Sequence, residues 1–90
     1  MSNLNNSPVL EFALKMQKEL DNNKHKGKFS WRKDCSLDYL IKRLYEEADE
    51  VVNCIGTGSS LQEVISECAD VANFAMMIAD IYKQKNIGVK

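Results

Sequence analysis

Residues 36–82 read SLDYLIKRLYEEADEVVNCIGTGSSLQEVISECADVANFAMMIADIY. Leu37, Leu40, Ile41, Leu44, Ala48, Val51, Val52 and Ile55 recur at the three-to-four spacing of a helix with one apolar face. Ser36 is placed to cap that helix, with Asp38 in its first turn. Gly56-Thr57-Gly58-Ser59 breaks the pattern, and Gly56 is placed for a C-terminal cap. Ser60-Leu61-Gln62-Glu63 then matches the S-x-x-E capping box and opens another helix. Its main stripe is Leu61, Val64, Ile65, Cys68, Ala72, Ala75, Met76, Ala79 and Tyr82, while Val71, Phe74, Met77, Ile78 and Ile81 make its later turns apolar on other faces. A helix apolar nearly all round must be buried nearly all round, which predicts a partner subunit. Only about four residues separate the two helices, so they must run antiparallel.

Upstream, Ser7-Pro8 reads as an N-cap followed by proline at the first helical position, where the missing N–H costs nothing. Leu10, Ala13, Leu14, Met16 and Leu20 give a core stripe for a first helix over residues 8–23. Asn22-Asn23 and Gly27 end it, and residues 24–35 read as a loop. The expected fold is an all-α antiparallel helical bundle, one domain over residues 1–90, with 1–6 and 84–90 as frayed tails. A chain of 90 residues lies near the lower limit for a self-sufficient core, so the core is expected to be completed by oligomerisation, as a homodimer or homotetramer. Tyr45 and Tyr82 are expected to pack.

Apolar residues make up 44% and charged residues 28%, a balance that suits a globular rather than a disordered chain. MSNLNNSPVL lacks the charged start and apolar run of a signal peptide. No apolar run approaches the length of a membrane span. Cys35, Cys54 and Cys68 are odd in number and lack CxxC spacing, which predicts reduced thiols. The expectation is a cytoplasmic protein with no membrane and no nucleic acid polymer among its partners.

The acids are distributed unevenly. Glu46-Glu47-Ala48-Asp49-Glu50 and Glu67-Cys68-Ala69-Asp70 both fall within residues 44–82, a span with no Lys or Arg. The run from Lys24 to Lys33 instead holds Lys24, Lys26, Lys28, Arg32 and Lys33 with His25 and no acid. Residues three apart share a helix face, so Glu47 pairs with Glu50 and Glu67 with Asp70. Both pairs fall at similar distances from the intervening turn and can face each other. Four facing carboxylates are unfavourable unless something positive lies between them. Hard oxygen donors suit Mg²⁺, or Mn²⁺, with waters and phosphates completing the shell. Glu46 and Asp49 fall away from this line. Lys42 and Arg43 read either as phosphate contacts or as an exposed helix face. An acidic site beside a basic stretch suits a polyanion bridged by cations.

The motif E-E-x-x-E (Glu46, Glu47, Glu50) followed by E-x-x-D (Glu67, Asp70) resembles the signature of the MazG-like, all-α nucleoside triphosphate pyrophosphohydrolases. The run from Glu67 to Asp80 and the segment His25-x-x-Lys28-x-x-Trp31 look like a small, single-domain, phage-like branch of that family, although Phe29-Ser30 stands where members often carry glycine. The resemblance covers roughly residues 8–82. It implies metal-dependent hydrolysis of a (deoxy)nucleoside triphosphate to the monophosphate and pyrophosphate. Glu47, Glu50, Glu67 and Asp70 would be the metal ligands, and Glu46 or Glu47 would take the proton from water. Candidate substrate contacts are His25, Lys28, Trp31, Arg32 and Asn73, with Trp31 stacking on a base or plugging the core. Two other readings stay open: a related pyrophosphatase acting on a phosphoribosyl nucleotide, and a non-catalytic helical dimerisation or adaptor module.

Overall fold

A computed structural model describes residues 7–23 and 31–88, and every regular element among them is helical. Helix α1 spans Pro8–Asn23, the single turn α2 spans Trp31–Asp34, α3 spans Leu37–Gly56 and α4 spans Leu61–Gly88. Helix α4 is the centre of the architecture, because α1, α2 and α3 each pack on it. The segment expected to be loop up to residue 35 therefore contains one helical turn. The tail expected from residue 84 is also different, since α4 continues to Gly88. No described helix is long and apolar enough to cross a membrane.

The helix starts follow from side chains that satisfy otherwise orphaned backbone N–H groups. Leu10 N donates to Ser7 Oγ at 3.3 Å, and Tyr39 N donates to Ser36 Oγ at 3.1 Å. At α4 the box closes from both sides. Glu63 N donates to Ser60 Oγ at 3.2 Å, and Ser60 N donates to Glu63 Oε1 at 3.2 Å. The end of α3 departs from expectation. Gly56 stays helical and Thr57 is the cap, its N–H and its hydroxyl both donating to the Asn53 carbonyl at 2.9 Å. The left-handed turn residue is Gly58, at φ 72°. That conformation suits a residue without Cβ.

The hydrophobic core is small. Leu40 of α3 meets Met77 and Ile81 of α4, with Leu20, Trp31, Cys35, Phe74, Met76 and Ile78 packed around them. Leu40 lies near the start of α3 and its partners lie late in α4, as an antiparallel pair requires. The face that α1 uses differs from the expected stripe. Leu10, Ala13 and Leu14 are exposed, whereas Phe12, Met16 and Leu20 are half-buried. A turn of α1 about its axis explains the difference: two polar ties fix that helix from the side of Met16 and Glu19. Asn73 Nδ2 donates to the Met16 carbonyl at 3.0 Å, and Ser66 Oγ donates to Glu19 Oε2 at 3.1 Å.

Tyr45 and Tyr82, expected to pack, are 72% and 61% exposed. Tyr45 belongs to a second stripe on α3, in which Ile41, Tyr45, Ala48, Val52 and Ile55 are all exposed at alternating spacings of four and three. Helix α4 is likewise not buried all round, since Leu61, Ala75, Ala79 and Tyr82 are exposed. With the core this small, Leu40→Ala is expected to cost about 2–5 kcal/mol. Urea unfolding followed by far-ultraviolet circular dichroism measures the loss, and a change under about 0.5 kcal/mol, the scale of a surface substitution, would displace Leu40 from the centre of the core.

Candidate metal centre

The helical repeat places Glu47 and Glu50 on one face of α3, and the antiparallel pairing brings Glu67 of α4 opposite. Carboxylate oxygens of Glu47, Glu50 and Glu67 all lie within 4.8 Å of one another. Their environments differ. Glu47 is buried at 5% exposure, Glu67 is half-buried and Glu50 is open to solvent. Burial, followed by a hydrogen bond with Glu47 and the charges of Glu50, Glu47 and Asp70, pushes the Glu67 carboxyl up to about 7. A hydrogen bond between two carboxyl groups needs a proton, and the Glu67 shift places that proton on Glu67. Asp70 thus acts on the group through its charge, although it lies outside the set of three whose oxygens converge.

The group is not without a cation of its own. Arg43 Nη2 donates to Glu47 Oε2 at 2.8 Å, and Arg43 Nη1 donates to Glu46 Oε1 at 2.6 Å. The guanidinium also lies over the Phe74 ring of α4, 5.1 Å from its centroid. Hydrogen bonding to Glu46, ahead of the attraction of Glu47, holds the Arg43 pKa above its ordinary value against the effect of burial. Arg43 is therefore neither a plain exposed residue nor placed at a distance from the acids. The signal was available in sequence: Arg43, Glu46 and Glu47 stand at i, i+3 and i+4, the positions that meet on a helix surface. One guanidinium against Glu46, Glu47, Glu50, Glu67 and Asp70 leaves an excess of negative charge. A divalent cation would relieve that excess, and an all-oxygen donor set fits a hard ion. The three carboxylates can hold a metal ion, and carboxylate donors alone do not select Mg²⁺ over Mn²⁺.

The other sequence-derived site residues are scattered. Glu46, a candidate base, turns to Arg43 and lies outside the converging set. Asn73 is buried, with its amide nitrogen spent on the Met16 carbonyl and its Oδ1 unpartnered among the described residues. Its donor joins α4 to α1. Trp31 packs against the core around Leu40, and Arg32 stacks over its ring, 5.0 Å from the centroid. Arg32 forks onto Asp80 of α4 through Nε at 2.9 Å and Nη2 at 3.2 Å, so its charge is already matched. Asp80 was missed as its partner because the two residues are distant in sequence. Both contacts lie about ten residues along α4 from Asp70, roughly 15 Å at the helical rise. His25 and Lys28 lie outside the described residues.

No protein-family model matches this chain, and no curated protein or solved structure shows significant similarity to it.

The position of Glu67 sets a pH dependence. Between about pH 4.3, the value for an unfolded glutamate, and about pH 7, the folded chain keeps a proton that the unfolded chain releases. Stability contributed by this group is therefore complete at the acid end of that window, falls as pH rises through it and is level above it. In chelator, the urea midpoint should drop more for wild type than for Glu67→Gln across that window. Parallel profiles for the two proteins would remove Glu67 from the cluster's proton inventory.

Proposed function

We propose that the chain is a metal-dependent nucleoside triphosphate pyrophosphohydrolase of the MazG-like type, cleaving its substrate to the monophosphate and pyrophosphate. The observation that carries this reading is the convergence of Glu47, Glu50 and Glu67 within 4.8 Å across α3 and α4. It agrees with the ligand set implied by E-E-x-x-E and E-x-x-D, with Asp70 contributing charge one turn further on. Mg²⁺ or Mn²⁺ held there would supply charge neutralisation at phosphate oxygens and a bound water of lowered pKa.

The chain's own residues divide the remaining work. Glu67, hydrogen-bonded to Glu47 across the helix pair, must release its proton to become a full ligand. Glu50 is open to solvent and so accessible to an incoming substrate. Of the two candidate bases, Glu47 lies in the converging group, whereas Glu46 reaches it only through Arg43. On this reading the lysines of the run from Lys24 to Lys33 would supply positive charge for a triphosphate, while Arg32 is paired with Asp80.

The same reading includes self-association. The exposed stripe Ile41, Tyr45, Ala48, Val52 and Ile55 on α3 is apolar and continuous, and a second copy would cover it. Sedimentation should give a dimer or larger species at micromolar concentration, and Val52→Glu should shift it toward monomer. A wild-type monomer at that concentration would contradict the assembly.

Hydrolysis is tested with a panel of nucleoside triphosphates in Mg²⁺, read as released pyrophosphate against phosphate. Pyrophosphate release is expected, and Glu50→Gln should reduce it by about a hundredfold or more while keeping helical circular dichroism, since Glu50 is exposed. No hydrolysis of any member, together with no stabilisation by Mg²⁺, is the outcome expected of a helical adaptor.

A further inference from the structure

Glu47 is the one buried carboxylate among those that converge, so the protein rather than solvent decides its orientation. The contacts that decide it are visible. Arg43 engages Glu47 Oε2 with one arm of its fork and Glu46 Oε1 with the other, at 2.8 and 2.6 Å. Its flat face rests on Phe74, which itself packs against the Leu40–Met77–Ile81 core. The guanidinium is thus held from α3 by two carboxylates and from α4 by a ring. A group restrained at three points holds its partner in turn.

We infer that Arg43 is a positioning residue of the candidate metal centre, presetting Glu47 by occupying its Oε2 so that its remaining lone pairs face Glu67 and an incoming cation. The inference rests on the metal reading proposed above, and adds to it a residue that neither acidic motif contains. Hydrogen bonding to a ligating side chain fixes its orientation, and loss of such a bond commonly lowers metal affinity about tenfold to a hundredfold. Lysine is an incomplete substitute. Its ammonium is a point charge, without the planar fork that spans two carboxylates or the face that stacks on a ring.

The test uses the full chain, with Mg²⁺ as the probe and no nucleotide, by titration calorimetry alongside circular dichroism. Arg43→Met keeps the length of the side chain and removes both arms. Its Kd for Mg²⁺ should be about tenfold to a hundredfold weaker than wild type, and Arg43→Lys should fall between the two. A purely electrostatic cation would produce the opposite sign, because removing a positive charge beside the site would tighten binding. Tighter or unchanged Kd in Arg43→Met therefore overturns the proposal while leaving the metal reading intact. Should Arg43→Met fail to fold, Arg43→Lys decides the matter, and a wild-type Kd in that variant overturns it. A wild-type chain that binds neither Mg²⁺ nor Mn²⁺ overturns the metal reading, and the role of Arg43 falls with it.

Discussion

The structure turns on a buried carboxylate. Glu47 sits inside the α3–α4 contact, where an unpaired charge would be costly. It is tolerated because Arg43 donates to it along α3 and the Glu67 carboxyl hydrogen-bonds to it from α4. These contacts join the two helices at mid-length, while Leu40, Met77 and Ile81 join them toward the other end. The apolar core is small enough for the polar contact to matter to helix register. Replacing Glu47 by an apolar residue could leave the helices paired, but it would remove the asymmetry among the carboxylates.

That asymmetry is what gives the cluster chemical potential. Glu50 is open, Glu67 is half-buried with its carboxyl raised to about 7, and Glu47 is enclosed and matched to a guanidinium. Three acids of one type thereby occupy three different environments. The group would, on the proposed reading, exchange a proton for a cation with little rearrangement, since the oxygens already converge. On the proposed reading, the pairing of α3 with α4 sets the cation position and the basic run before α3 sets what anion comes with it.

Much of this architecture could be read from residues alone. Ser7, Ser36 and Ser60 each mark a helix start, because hydroxyl caps act within one turn and depend on nothing remote. The facing of Glu47 and Glu50 with Glu67 followed from helical spacing and a short turn, both local properties. Other features depend on contacts distant in sequence. Which face of α1 is buried depends on Asn73 and Ser66, both far along the chain. The pairing of Arg32 with Asp80 is equally remote in sequence. Tyr45 and Tyr82 face outward within the single chain, since neither meets another of its helices closely enough to be buried. Arg43 is the exception, a local pairing with Glu46 and Glu47 just outside the cation-free span.

On the proposed reading, Glu47, Glu50 and Glu67 exchange the Glu67 proton for a divalent cation. Titration calorimetry of Mg²⁺ at pH 7, repeated in buffers of different ionisation enthalpy, measures that exchange directly. A carboxyl with pKa about 7 predicts release of roughly half a proton per ion bound, declining toward none at higher pH. Binding without proton release, or no binding, would contradict it.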